Sequence, residues 1–223
     1  MKQNKYDDPA FFARYSAMTR SIQGLEAAGE WPAFRALLPD LRDKRLLDLG
    51  CGFGWHCRYA RQEGARHVTG VDLSGKMLKR ARDTTNDPAI EYRRCAIEDL
   101  ELPAGEFDVV ISSLALHYVE NLEPVCRRVH RWLKPGGAFV FSVEHPMFTA
   151  LAAQEWCLGP NGERRHWPVD DYQEEGLRAT QWLNEHVIKY HRTLAKYVNT
   201  VMESGFQLTK IMEPEPLAAG LFG

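Results

Sequence analysis

Three glycines at alternate positions, Gly50, Gly52 and Gly54, close the apolar run Leu46-Leu47-Asp48-Leu49. Glycines at this spacing let a strand turn sharply into a helix and let a ligand come close to the backbone. A helix that starts there also aims its first N–H groups at whatever sits on the turn. Asp72 follows Gly50 by 22 residues, close to the ~20 expected of an acid that grips a ribose diol. A carboxylate suits that task because it accepts hydrogens from both hydroxyls. The competing reading of Asp72 is a helix cap ahead of Ser74, and the two roles are compatible. Together these residues point to a nucleotide-type ligand. The dinucleotide fingerprint needs a third glycine at position 55, where this chain has Trp55. That tells against a pyrophosphate pressed on the helix start. No Gly-Lys-Ser/Thr follows, which excludes a P-loop.

The elements that must carry these residues alternate between strand and helix. The first ~45 residues have helical apolar spacing, interrupted by Gly24, Gly29 and Pro32, so two or three short helices are expected. Strands are expected over 46–49, 67–72, 90–95, 107–112 and 138–143, and a sixth over 206–212. Helices are expected over 55–62, after Ser74 with Met77, Leu78 and Ala81 on one side, through Leu122, Val125, Val129 and Trp132, and over 193–203. Such alternation implies right-handed βαβ units and a mostly parallel, doubly wound α/β sheet, with ligands at the carboxyl ends of the strands. Residues 144–192 break the pattern. They are polar and aromatic, with Trp156, Trp167, Tyr172, Trp182 and Tyr190 among Pro and Gly. They read as a cap inserted after the fifth strand, whose aromatics either line a pocket or form a small secondary core.

Composition bounds the rest. The 223 residues suit one domain: a helical lid over 1–44, a ligand-binding core over 45–143, a cap over 144–192 and a final helix and strand over 193–223. With 28 basic and 30 acidic residues, general binding to nucleic acid or an anionic membrane is disfavoured. No apolar run reaches the ~20 residues of a membrane span. The five cysteines are scattered, with no Cys-x-x-Cys pair. A reduced, cytoplasmic protein without a metal site is expected.

In order and at the right spacing, Leu46-Leu47-Asp48-Leu49-Gly50-Cys51-Gly52-Phe53-Gly54, Val71-Asp72-Leu73-Ser74 with Met77-Leu78, Phe107-Asp108-Val109-Val110 and Leu133-Lys134-Pro135-Gly136-Gly137 resemble the class I S-adenosylmethionine-dependent methyltransferases. The resemblance covers residues 45–143 and is to the small-molecule branch that includes the ubiquinone and menaquinone methyltransferases. It implies a Rossmann-like fold and S-adenosyl-L-methionine as cofactor. It implies that the backbone of Gly50, Cys51 and Gly52 lines the methionine part, that Asp48 holds the turn, and that Asp72 takes the ribose hydroxyls. Leu73 and Met77 would pack on the adenine. Many members carry an acid where Ala96 stands, so Glu98 or the backbone of Ile97 is expected to meet the adenine edge. Ser113 and Leu114 would form the inner wall at the methyl donor. Members also close the sheet with a seventh strand, for which the tail is too short; a second copy of the chain, in a homodimer, is one way to cover the edge left open.

Methyl transfer is an in-line displacement that needs alignment and exclusion of water more than acid–base help. His117, after the fourth strand, is the candidate base by position. The alternative is a histidine that only hydrogen-bonds the cofactor or a carbonyl. His145, just past the fifth strand, either contacts substrate or fixes the start of the cap. Arg192 either recognises an acidic substrate group through its planar fork or forms a surface ion pair. An NAD-dependent oxidoreductase on a similar sheet, and a non-catalytic S-adenosylmethionine-binding protein, are the competing functions.

Overall fold

The computed structural model describes residues 3–215. Three short helices come first: α1 (Pro9–Ser16), α2 (Thr19–Gln23) and α3 (Trp31–Leu37). Then follow β1 (Arg45–Leu49), α4 (Trp55–Gln62), β2 (His67–Asp72), α5 (Gly75–Asp83), β3 (Ile90–Arg94), β4 (Phe107–Ser113), α6 (Leu122–Trp132) and β5 (Leu133–Ser142). These five strands form one parallel sheet in the order β3-β2-β1-β4-β5. The order reverses at β1, which puts the switch point between β1 and β4, where a doubly wound sheet opens a crevice for ligand.

Alternation along the buried strands splits the core into two layers. Leu47, Leu49 and Val110 face one side, against Val125, Val129 and Trp132 of α6 and Tyr197 and Val201 of α8 (Leu194–Glu203). Leu46, Val109 and Ile111 face the other, against Trp31 and Phe34 of α3, Cys57 and Ala60 of α4, and Leu78 and Ala81 of α5. Leu46, Leu47 and Leu49 are fully buried, as a strand covered on both faces requires.

α6 stops at Trp132, and Lys134-Pro135-Gly136-Gly137 makes a bulge inside β5. Phe107 pairs with Leu133, yet Val109 pairs with Ala138. A Cβ at Gly137 would lie 3.0 Å from the carbonyl oxygen of Asp108, so only glycine passes there without displacement.

The sixth strand is not formed. Residues 206–212 have no ladder partners and are largely exposed. Only Phe206 is anchored, with its ring 5.5 Å from Phe139 and 5.0 Å from His130. β5 is therefore an edge of the sheet among the described residues.

The cap is built of α7 (Pro146–Thr149), a small ribbon of β6 (Cys157–Leu158) with β7 (Arg164–His166), and a longer antiparallel hairpin of β8 (Gly176–Trp182) with β9 (Glu185–His191). Leu183 and Asn184 turn this hairpin with φ of 51° and 59°, the left-handed pair that a two-residue hairpin turn needs. Its aromatics divide between the two expected fates. Trp182 and Tyr190 line a cavity. Trp167 instead stacks on Phe148 at 4.8 Å and meets Trp156 edge-on at 5.3 Å, a secondary core.

Thr193 caps α8, accepting from the Lys196 N–H at 3.1 Å while donating to Glu175 at 2.9 Å. Thr193→Ala is expected to lower stability by about 1 kcal/mol, read as a shift of the urea midpoint with an unchanged slope.

Candidate active site

The glycine turn takes its shape from left-handed backbone at Gly50 (φ 81°), Gly52 (φ 52°) and Gly54 (φ 73°). The N–H groups of Gly50 and Cys51 both donate to the Val71 carbonyl, at 2.8 and 3.0 Å, which ties the turn to the end of β2. The Gly52 N–H donates to Asp72 at 2.9 Å, and the other Asp72 oxygen accepts from the Ser74 N–H at 2.8 Å. Asp72 is thus held by two amides, and burial raises its pKa against their pull. Ser74 caps α5, its hydroxyl accepting from the Met77 N–H at 3.1 Å.

A cavity of about 730 Å³ opens over the turn at the carboxyl ends of the strands. Ten residues expected at the site line it: Gly50, Gly52, Asp72, Leu73, Met77, Ile97, Glu98, Ser113, Leu114 and His117. Tyr15, Met18 and Arg20 of the amino-terminal helices line it as well.

Four expected residues lie elsewhere. Cys51 is buried behind the turn with its Sγ against Gly70, and its N–H is spent on Val71. Asp48 is buried beneath the turn, where one oxygen accepts from the Cys57 thiol at 3.3 Å and the other meets no protein partner. His145 caps α7, accepting from the Met147 N–H at 3.1 Å, and bonds Glu213 at 2.8 Å on the surface. Arg192 is buried but faces backbone: its guanidinium donates to the carbonyls of Val119 and Glu120 and lies over the rings of Tyr190 and Tyr197. Its charge is satisfied by the protein, so it offers no fork to an acidic substrate.

His117 reaches the cavity wall, but as a poor base. Its Nδ1 accepts from the Glu144 N–H at 3.4 Å, which places the ring proton on Nε2. Burial pushes its pKa down to about 4. A neutral imidazole of this tautomer donates a hydrogen bond.

The residues missed from sequence cluster at the far end of the cavity. Tyr6 is a hub, with ring centroids 5.1 Å from Phe11, 5.2 Å from Tyr15, 6.4 Å from Tyr118 and 6.4 Å from Trp182. Glu144 lines the cavity two positions after β5. Just past β5 it is the acid Glu144, not the expected His145, that faces inward. Lys189 of β9 holds Glu144 through both oxygens, at 2.6 and 2.8 Å.

Asp48 and His117 pull the pH dependence of stability in opposite directions. Burial raises Asp48 to about 7. Between roughly pH 4 and 7 the folded state then holds a proton that the unfolded state has lost, so this group lowers stability as pH rises. His117, at about 4 when folded, does the reverse between about 4 and 6.5, and His56, pushed to about 3 by burial, adds to it. Asp48→Asn removes only the first effect. Its stability should therefore climb more steeply from pH 4 to 7 than that of the parent, in urea unfolding followed by fluorescence.

The doubly wound sheet, the three-glycine turn and the acid at the end of β2 define a Rossmann-like protein with its cavity over the switch point. Comparison with known proteins carries this further. The family model described as a methyltransferase domain matches residues 47–141. A solved S-adenosylmethionine-dependent methyltransferase from Mesorhizobium loti is 48% identical, with a TM-score of 0.82, over 88% of this chain and 89% of that one. A solved chain from Listeria monocytogenes is 47% identical, with a TM-score of 0.83, over 86% and 91%. Malonyl-[acyl-carrier protein] O-methyltransferase of Enterobacter lignolyticus is 39% identical, over 49% of this chain and 43% of that enzyme. The chain belongs to the S-adenosylmethionine-dependent methyltransferases, and its cofactor is S-adenosylmethionine. Among the described residues no helix is long and apolar enough to cross a membrane, and none of their His, Cys, Asp or Glu side chains group as metal ligands.

Proposed function

We propose that the chain methylates a small molecule enclosed between the glycine turn and the cap hairpin. The observation that carries this is the continuity of the cavity, which runs from Gly52 and Asp72 to Tyr6, Trp182 and Glu144. The wall at the turn suits the cofactor. A Cβ at Gly52 would project into open space, so bare backbone faces the ligand there. Asp72 keeps lone pairs for the ribose hydroxyls, Leu73, Met77 and Ile97 offer an apolar slot for the adenine, and Glu98 stands by its edge. Ser113 and Leu114 close the inner wall. S-adenosylmethionine, when bound, supplies a methyl carbon on a positively charged sulfur. The chain aligns the acceptor with that carbon and excludes water through the lid and hairpin. His117 contributes a hydrogen-bond donor on the wall.

The acceptor of the malonyl-[acyl-carrier protein] enzyme is not carried over, because the match spans 43% of the Enterobacter lignolyticus enzyme's length. An NAD-dependent reaction is disfavoured by Trp55, whose ring lies where a Cβ on Gly24 would come within 2.7 Å. Bulk stands there in place of the third glycine. Calorimetric titration tests the reading: saturation by S-adenosylhomocysteine at one per chain, without saturation by NADH, is expected. The reverse would overturn it.

A further inference from the structure

Resting on that reading, we infer that Glu144 and Lys189 form the acceptor-recognition site, and that the acceptor is an uncharged aromatic compound carrying a hydroxyl or amino group.

The site is built. The Lys189 side chain is 3% exposed and its ammonium is consumed by Glu144 and by the Gln154 Oε1 at 3.3 Å. Gln154 is itself fixed, accepting from the Thr180 hydroxyl at 2.9 Å. A buried ion pair rarely repays its desolvation against apolar residues of the same shape. Its presence on a cavity wall therefore calls for a use. Lys189 holds the Glu144 carboxylate in one orientation, and that carboxylate is 22% exposed, toward the cavity. Two oxygens offer more lone pairs than one ammonium can fill, so Glu144 can still accept a hydrogen bond from a ligand. Next to it, His117 presents Nε2–H as a donor.

The charges around this end select against ions. Of the cations on or behind the wall, Lys5 is paired with Glu185 at 3.5 Å, Arg20 with Glu30 at 2.8 Å and Lys189 with Glu144, while Arg128 donates to the Glu98 carbonyl and Arg192 to those of Val119 and Glu120. An anionic acceptor beside Glu144 would face its carboxylate while Lys189 is already engaged. A cationic acceptor would find Glu144 already neutralised by Lys189, whose ammonium is buried behind it, 5.8 Å over the Trp182 ring. A neutral N–H or O–H donor meets neither penalty. The rings of Tyr6, Tyr15, Tyr118 and Trp182 supply edges and faces for a flat body.

The test uses probes of one shape in the full chain saturated with S-adenosylhomocysteine, followed by ligand-observed NMR. 2-Naphthol and 2-aminonaphthalene are expected to bind at least tenfold more tightly than 2-methoxynaphthalene, which lacks the donor, than 2-naphthoate and than a naphthylmethyl-trimethylammonium ion. Glu144→Gln should weaken the two donors at least about tenfold and leave S-adenosylhomocysteine affinity within twofold. The double variant Glu144→Gln/Lys189→Met, which leaves no unpaired buried charge, should behave alike. The preferred donor, hydroxyl or amino, identifies the acceptor's nucleophile. Equal binding of the methoxy compound, preference for either ion, unchanged donor binding in both variants, or no probe binding to the loaded protein would overturn the proposal. A chain that does not bind S-adenosylhomocysteine at all would instead overturn the function on which it rests.

Discussion

Gly50→Ala is expected to abolish measurable S-adenosylhomocysteine binding and to lower the unfolding free energy by about 2–6 kcal/mol. Two costs add. The residue holds φ at 81°, which costs a side chain about 1–3 kcal/mol. A Cβ at that place would lie 2.4 Å from the Ala115 Cβ, well inside contact, so the backbone must move, at about 1–3 kcal/mol. Ala115 immediately precedes the turn Leu116–Tyr118 that carries His117 and Tyr118, and relief of the clash pushes that loop away from the glycine turn. The damage thus reaches both ends of the cavity. Gly136→Ala is the control. It also has positive φ, 75°, but its Cβ would meet nothing within 4 Å, so only the backbone cost is expected, with cofactor affinity kept. Urea unfolding and calorimetry on both variants check this pair.

Asp72→Ala is expected to weaken S-adenosylhomocysteine binding by at least tenfold per hydrogen bond lost, or about 1.5–3 kcal/mol for each. The carboxylate does two things at once. It anchors the Gly52 and Ser74 amides, and its remaining lone pairs face the cavity. The alanine variant removes both, and leaving the two amides unpaired costs a further ~1–3 kcal/mol of stability. Asp72→Asn separates the roles: one amide oxygen still accepts from backbone, so stability falls less, while the charge offered to a ribose is gone. An Asp72→Asn chain with parental affinity would remove the ribose role from this residue.

How far sequence led is clearest residue by residue. β1 to β5 and α4 to α6 were legible because β1 and β4 are short apolar runs, β3 alternates buried Ile90 and Tyr92 with charged residues, and each helix buries one regular stripe. Leu47 and Leu49 on one layer and Leu46 on the other follow directly from alternation. The turn was legible because glycine alone tolerates its backbone. The hairpin of β8 and β9 was not, since its inward positions include Lys189 and His191, buried at 2% and 0%. Each is paired by groups distant in sequence: Glu144 for the lysine, and Thr149 and the Tyr172 carbonyl for the histidine. Buried polar residues invert the pattern by which a strand is recognised. Arg192 misled for a related reason. A planar fork suits carboxylates, but two carbonyls at a chain reversal suit it as well. Residues 206–212 look like a strand locally, yet a strand needs a neighbour, and after the Phe206 anchor the chain leaves β5. Glu144 escaped notice because its meaning lies in Lys189, 45 residues on.

A crystal structure with S-adenosylhomocysteine bound tests the site most directly. Both ribose hydroxyls are expected within hydrogen-bond distance of the Asp72 carboxylate, the adenine between Leu73, Met77 and Ile97, and the sulfur facing the part of the cavity bounded by Tyr6, His117 and Glu144. A ribose away from Asp72, or a sulfur turned from that chamber, would contradict this arrangement.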